Sequence, residues 1–187
     1  LTSDCPLITV VAGVLIQRGQ LDASCLDHED SVREEVLRAF RDVLVADPVG
    51  ADSAMRRAVL DAVSVLQPFR SDDPAFQNAL AALVLAPYDR AVSHLRGLED
   101  AGVLLRRGNS LRVVPDLLGD VVLSGACFDE RSGVSTGYIE RAVEVADAGP
   151  RQNIFVNAAR IDWKIRHDRS GAPSLTDTLW LAMSAEF

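Results

Sequence analysis

Residues 85–116 read LAPYDRAVSHLRGLEDAGVLLRRGNSLRVVPD, and how this stretch folds decides how its neighbours are read. Pro87 suits the first turn of a helix, where its missing N–H would have no partner in any case. Behind it Ala91, Val92, Leu95, Leu98 and Ala101 recur at three- and four-residue spacing, giving one apolar face. Gly102 then closes the helix as a left-handed cap would. Val103 to Arg107 and Leu111 to Pro115 are short extended runs, with Gly108, Asn109 and Ser110 to turn between them. The stretch is predicted as a helix running directly into a two-stranded hairpin.

Upstream, Asp52 to Leu66 carries Met55, Ala58, Val59, Ala62, Val63 and Leu66 on one face, and Gln67-Pro68-Phe69 breaks it. Asp73-Pro74 opens a shorter helix through Leu83. Three helices and a hairpin in that order predict a winged-helix domain over residues 48–120. Before it, DCPLITVVAGVLIQRG at residues 4–19 is apolar at nearly every position. Its length favours a helix, and a helix apolar all round belongs inside a larger body. Ser31-Val-Arg-Glu34 matches a capping box for a helix carrying Val32, Val36, Leu37, Phe40, Val43 and Leu44, which stops near Asp47-Pro48. Residues 1–47 therefore read as the helical end of a larger module. After the hairpin, a helix from Asp116 to Leu123 and helical stretches at 137–146, 150–167 and 174–187 make 121–187 a helical linker and the start of a helical-repeat array. The expected class is mainly α, with one small β-hairpin wing.

In composition, 48% apolar and 25% charged residues are ordinary for a globular chain. The net charge of −8 speaks against non-specific nucleic-acid binding, which needs many phosphates neutralised. Cys5, Cys25 and Cys127 are too few and too scattered for a disulfide framework, and a reducing cytoplasm fits them. The longest apolar run, Leu7 to Ile16, is shorter than the roughly 20 residues a membrane helix needs. Because the chain opens on Leu1 and carries an apolar helix in want of a body, it is expected to be a piece of a longer polypeptide.

Catalytic motifs are thin. The phosphate-binding P-loop needs a lysine after glycine, and the only lysine is Lys164, in Asp-Trp-Lys-Ile-Arg. Gly133-Val-Ser135-Thr-Gly137 fits the nucleophile-elbow pattern, but a polar loop precedes it where the elbow needs a strand. A turn in which Ser135 or Thr136 caps the next helix is the plainer reading. Cys25-x-x-His28 lacks a second ligand pair, so no metal is expected. Asp72-Asp73 and Asp129-Glu130 read as helix-start carboxylates. His94, near Arg90 and Arg96, is placed to touch a phosphate, with an ordinary surface histidine as the other reading. Arg90, Arg96, Arg106, Arg107 and Arg112 stand where a winged-helix DNA reader would carry them, against Asp89, Glu99 and Asp100 on the same helix.

The order of elements resembles the C-terminal part of STAND-class signal-transduction NTPases, bacterial antiviral members above all. Asp4-Cys5-Pro6-Leu7 before ITVVAG is similar to the family's Gly-x-Pro-Leu stretch, and Val114-Pro115-Asp116-Leu117-Leu118 falls where the family has Met-His-Asp-Leu. The resemblance implies that Pro6 lies against adenine and that Asp116 belongs to a partial ATP/ADP site completed by the parent chain. Asp4 and Pro115 depart from the family's glycine and histidine, and a proline has no side-chain donor for a phosphate. On this reading the chain does no chemistry itself and is a regulatory piece of a cytoplasmic ATPase. It would partner the nucleotide domain of its own polypeptide within an oligomer, with no membrane and no DNA, and hinge at 46–52 and 116–119. The alternative is an acidic winged-helix transcriptional regulator that binds DNA; a helical protein–protein scaffold is a third.

Overall fold

The structure, a computed structural model, describes residues 6–17, 19, 29–45, 52–129, 132–168 and 174–184. The expectations for Asp4, Cys5, Cys25, His28, Glu130 and residues 46–51 fall outside these. By contact, the chain divides into two compact units, residues 1–53 and 54–187.

In the first unit, helices α1 (Pro6–Gln17) and α2 (Glu29–Val45) pack on each other. Pro6 takes the first position of α1, as its missing N–H favours. Ala12 and Leu15 of α1 and Val36, Leu37 and Val45 of α2 are buried. One expectation is corrected here. Since α2 begins at Glu29, Ser31 lies inside the helix and does not cap it. A helix can begin before a capping motif, so the motif alone does not fix where α2 starts.

The second unit opens with α3 (Ser53–Leu66), α4 (Pro74–Val84) and α5 (Tyr88–Asp100), followed by strands β1 (Leu104–Arg107) and β2 (Ser110–Val113). Asp73 caps α4, its carboxylate accepting from the Ala75 N–H at 3.0 Å. The apolar face read for α5 is turned inward: Ala91, Leu95 and Leu98 are buried. Gly102 follows at φ +71°, the left-handed conformation expected of it. The strands pair antiparallel, Leu104 opposite Val113 and Arg107 opposite Ser110. Their turn is therefore Gly108-Asn109 alone, with Gly108 at φ +59°, which a side chain would resist. The segment between α3 and α4 also joins the hairpin. Phe69 and Leu111 exchange both backbone hydrogen bonds, at 3.0 and 2.7 Å, so β2 is bridged on its other edge by a single residue. The Phe69 ring stacks on Phe76 of α4 with centroids 4.2 Å apart, and Phe76 meets Tyr88 of α5 edge-on.

From the hairpin the chain passes into α6 (Asp116–Cys127), then α7 (Tyr138–Val145), α8 (Ala148–Asp168) and α9 (Leu175–Ser184). The boundary expected at residues 120 and 121 falls inside α6, and these later helices belong to the same compact unit as α3–β2. The reason is apolar area. Ile139, Ala142 and Val143 of α7 and Ile154, Ala158 and Ile161 of α8 are all buried, and both helices pack on α4. The described residues thus form a mainly helical protein with one small antiparallel sheet. No helix among them is long and apolar enough to cross a membrane.

Candidate functional site

Asp116, one of the three residues expected to touch a nucleotide, opens α6. Pro115 precedes it and offers no side-chain cap, so the Asp116 carboxylate is the acidic group of that first turn. Arg112, four residues back on β2, donates from Nη2 to Asp116 Oδ1 at 2.7 Å. Sequence reading missed this pair, although an acid and an arginine four residues apart across a strand–helix junction was the available signal. His94 is half-buried on α5. Pro6 heads α1 in the first unit, and its side chain is outside the described residues. The three stand on three helices, His94 and Asp116 in one unit and Pro6 in the other.

The arginines expected to read DNA are not all available for it. Arg106 reaches back from β1 to α5 and donates to both Glu99 oxygens, Nε at 3.2 Å and Nη2 at 3.4 Å. Arg112 is held by Asp116. Arg90, Arg96 and Arg107 remain exposed, but the exposed face of α5 sets Asp89 and Asp100 against Arg90 and Arg96. Such a face offers little net attraction to a phosphate backbone.

The catalytic alternatives resolve into structure. Ser135 lies in a loop, bridged to Phe128, and its hydroxyl accepts from the Gly137 N–H at 3.3 Å. The Thr136 hydroxyl donates to the Ala126 carbonyl at 2.6 Å and accepts from Tyr138 N–H, the first residue of α7, at 3.3 Å. The G-x-S-x-G run is a loop staple. Asp72 is gripped by Arg70 through two hydrogen bonds, of 3.1 and 2.9 Å, and these hold its carboxyl below the ordinary range. Cys127 is a free thiol buried at the end of α6, and burial pushes it up to about 12, far from the thiolate a nucleophile requires. Among the described residues no cluster of histidine, cysteine and carboxylates is suited to a metal ion.

What the structure does assemble is a polar node under the hairpin. Gln67, buried just past α3, accepts from the Val113 N–H of β2 at 2.8 Å and donates to the Ser64 carbonyl at 3.2 Å. Gly119 of α6 passes so close that a Cβ there would lie 2.7 Å from Gln67 Nε2. From α8, Asn157 donates to the carbonyls of Val65 (2.9 Å) and Gln67 (2.6 Å). Asn153, one turn earlier, donates to those of Leu66 (3.2 Å) and Pro68 (2.8 Å). The end of a helix leaves its last carbonyls without intrahelical partners, and here another helix supplies the donors. Farther along α8, Asp162 accepts from the backbone N–H groups of Leu175 (2.7 Å) and Thr176 (2.8 Å) and so caps α9 from outside. Within α8, then, Asn157 holds the end of α3 and Asp162 the start of α9. No protein-family model, curated protein or solved structure matches this chain. Its own geometry has to carry the functional reading.

Proposed function

We propose that α3 to β2 form a winged-helix module, and that this module acts as a latch on the nucleotide domain of a STAND-type signalling ATPase. The observation that carries the reading is the Phe69–Leu111 bridge. It adds a one-residue bridge between α3 and α4 to the edge of the hairpin, and a bridge at that point in the order of elements supports a winged helix. The nearly balanced charge on the exposed face of α5 and the capture of Arg106 and Arg112 by acids favour a protein partner over a nucleic acid. Exposed Trp180 and Leu181 on α9 suit an inner unit of a helical array, since an outermost unit presents a polar face.

In this reading the chain itself performs no chemistry. ATP or ADP is held by the parent polypeptide in the cytoplasm, with Pro6 against the adenine and Asp116 and His94 as the remaining candidate contacts. Release of the latch exposes surfaces for oligomerisation and signalling in defence. The test is ADP titration into a chain that includes the upstream nucleotide domain. Pro6→Ala should weaken binding by roughly tenfold, about 1.4 kcal/mol; unchanged affinity contradicts the assignment.

Exposed Arg90, Arg96 and Arg107 favour one competing reading, a winged-helix regulator that binds DNA. Duplex DNA binding by this chain, with an affinity that falls steeply as salt rises and is lost in an Arg90→Ala/Arg96→Ala variant, would select it.

A further inference from the structure

Helices α6 and α8 are joined by a charged contact that a stably fastened joint would not use. Asp120, the residue after Gly119, is buried, and Arg160 Nε lies 2.7 Å from its Oδ1. Asp120 Oδ1, Arg160 Nε and Arg160 Nη2 are all buried without a hydrogen-bond partner. A buried ion pair offsets its desolvation only when its geometry is good and its remaining donors and acceptors are satisfied. The second condition fails here, since Arg160 Nη2 is buried with no acceptor. Burial raises the Asp120 carboxyl above its ordinary value, and the positive charges of Arg160 and Lys164, with the close approach of the Arg160 N–H, oppose that without cancelling it. On α6 itself the nearest charge is Asp116, which also acts to raise it.

We propose that the Asp120–Arg160 contact is a release catch: it fixes which faces of α6 and α8 meet, yet holds them more weakly than a neutral contact between the same positions would. Three placements make this a device and not merely a poor contact. Asp120 stands one turn into α6, next to the glycine that lies against Gln67 and one turn after the Asp116–Arg112 pair at the foot of the hairpin. Arg160 stands between Asn157, which holds the end of α3, and Asp162, which caps α9. The Arg160 side chain keeps a third of its surface exposed, so water reaches the pair as soon as the helices part. Opening the catch frees α6 from α8 while the asparagine clamp keeps α8 on α3. The catch does not depend on nucleotide and stands whether or not the latch reading does.

The test is amide hydrogen exchange over residues 120–127 of α6 at one fixed pH, in this chain and in two neutral replacements of the pair. In Asp120→Val/Arg160→Met an apolar contact replaces the charged one, and in Asp120→Asn/Arg160→Gln a neutral polar contact does. Removing the charges should slow exchange in α6 by roughly tenfold or more and raise the denaturation midpoint. Exchange that is unchanged or faster in both double variants overturns the proposal. If the apolar pair does not fold, the Asn/Gln pair decides alone.

Discussion

Asn157 does for α3 what a C-terminal cap does for most helices, but from a residue far along the chain. Its amide serves two buried carbonyls, and Asn157→Ala would strand both. An unsatisfied buried acceptor costs about 1–3 kcal/mol, so chemical denaturation should show a loss in that range or above it. Phe69→Ala removes a buried ring stacked at 4.2 Å and should cost about 3–5 kcal/mol. Two aspartates titrate with opposite sign. Burial would raise Asp162, but the hydrogen bonds from Thr176, Leu175 and Ser174 outweigh it and leave its carboxyl below the ordinary 3.8. A lowered folded value means that the unfolded chain binds more protons, so this stabilisation is whole above about pH 4 and is lost as pH falls through the folded value. Asp162→Asn should therefore flatten the acid side of a stability–pH curve. Asp120 is raised, chiefly by burial, so its contribution is whole below 3.8 and lost as pH rises through its folded value. In Asp120→Asn that loss with rising pH should be absent. Urea midpoints between pH 2.5 and 7 would separate the two.

At the scale of elements, what the sequence reveals depends on how far apart the partners lie. The α5 helix and hairpin were legible because each signal is local: Pro87 at the start, Gly102 at the stop, Gly108 at the turn. Helices α2 and α8 begin two residues before Ser31 and Pro150, because neither a capping motif nor a proline, which the first turn tolerates, stops a helix from beginning before it. The bridge from Phe69 to Leu111 was invisible, since one extended residue after Gln67-Pro68 has no periodicity to read. Nor does sequence mark which asparagines of α8 face α3; in a polar run they look like any solvated side chain. Of the candidate site, Asp116 was placed correctly at a helix start, but its arginine was not paired with it. The α8 clamp leads to a prediction at this scale. A chain ending at Asp147 leaves the carbonyls of Val65 to Pro68 without their donors and bares the side of α4 that α8 covers. It should lose cooperative unfolding, seen as a broad, shallow denaturation curve, whereas trimming α9 alone should keep a single sharp transition.

For the molecule as a whole, the decisive feature is that the helices after the hairpin belong to the hairpin's own unit while α1 and α2 form another. A latch of this kind would move as residues 54–187 together. The expected hinge at 116–119 is constrained by that packing: Gly119 lies against Gln67 and Asp116 is tied to Arg112. The expected hinge at 46–52 falls almost wholly outside the described residues. The most direct test of the latch is hydrogen exchange of α5 and the hairpin, residues 88–113, in the parent polypeptide loaded first with ADP and then with ATP. Latching by the winged helix predicts strong protection of these amides with ADP and its loss with ATP. Equal protection in both states, or protection conferred by DNA and not by nucleotide, would contradict it.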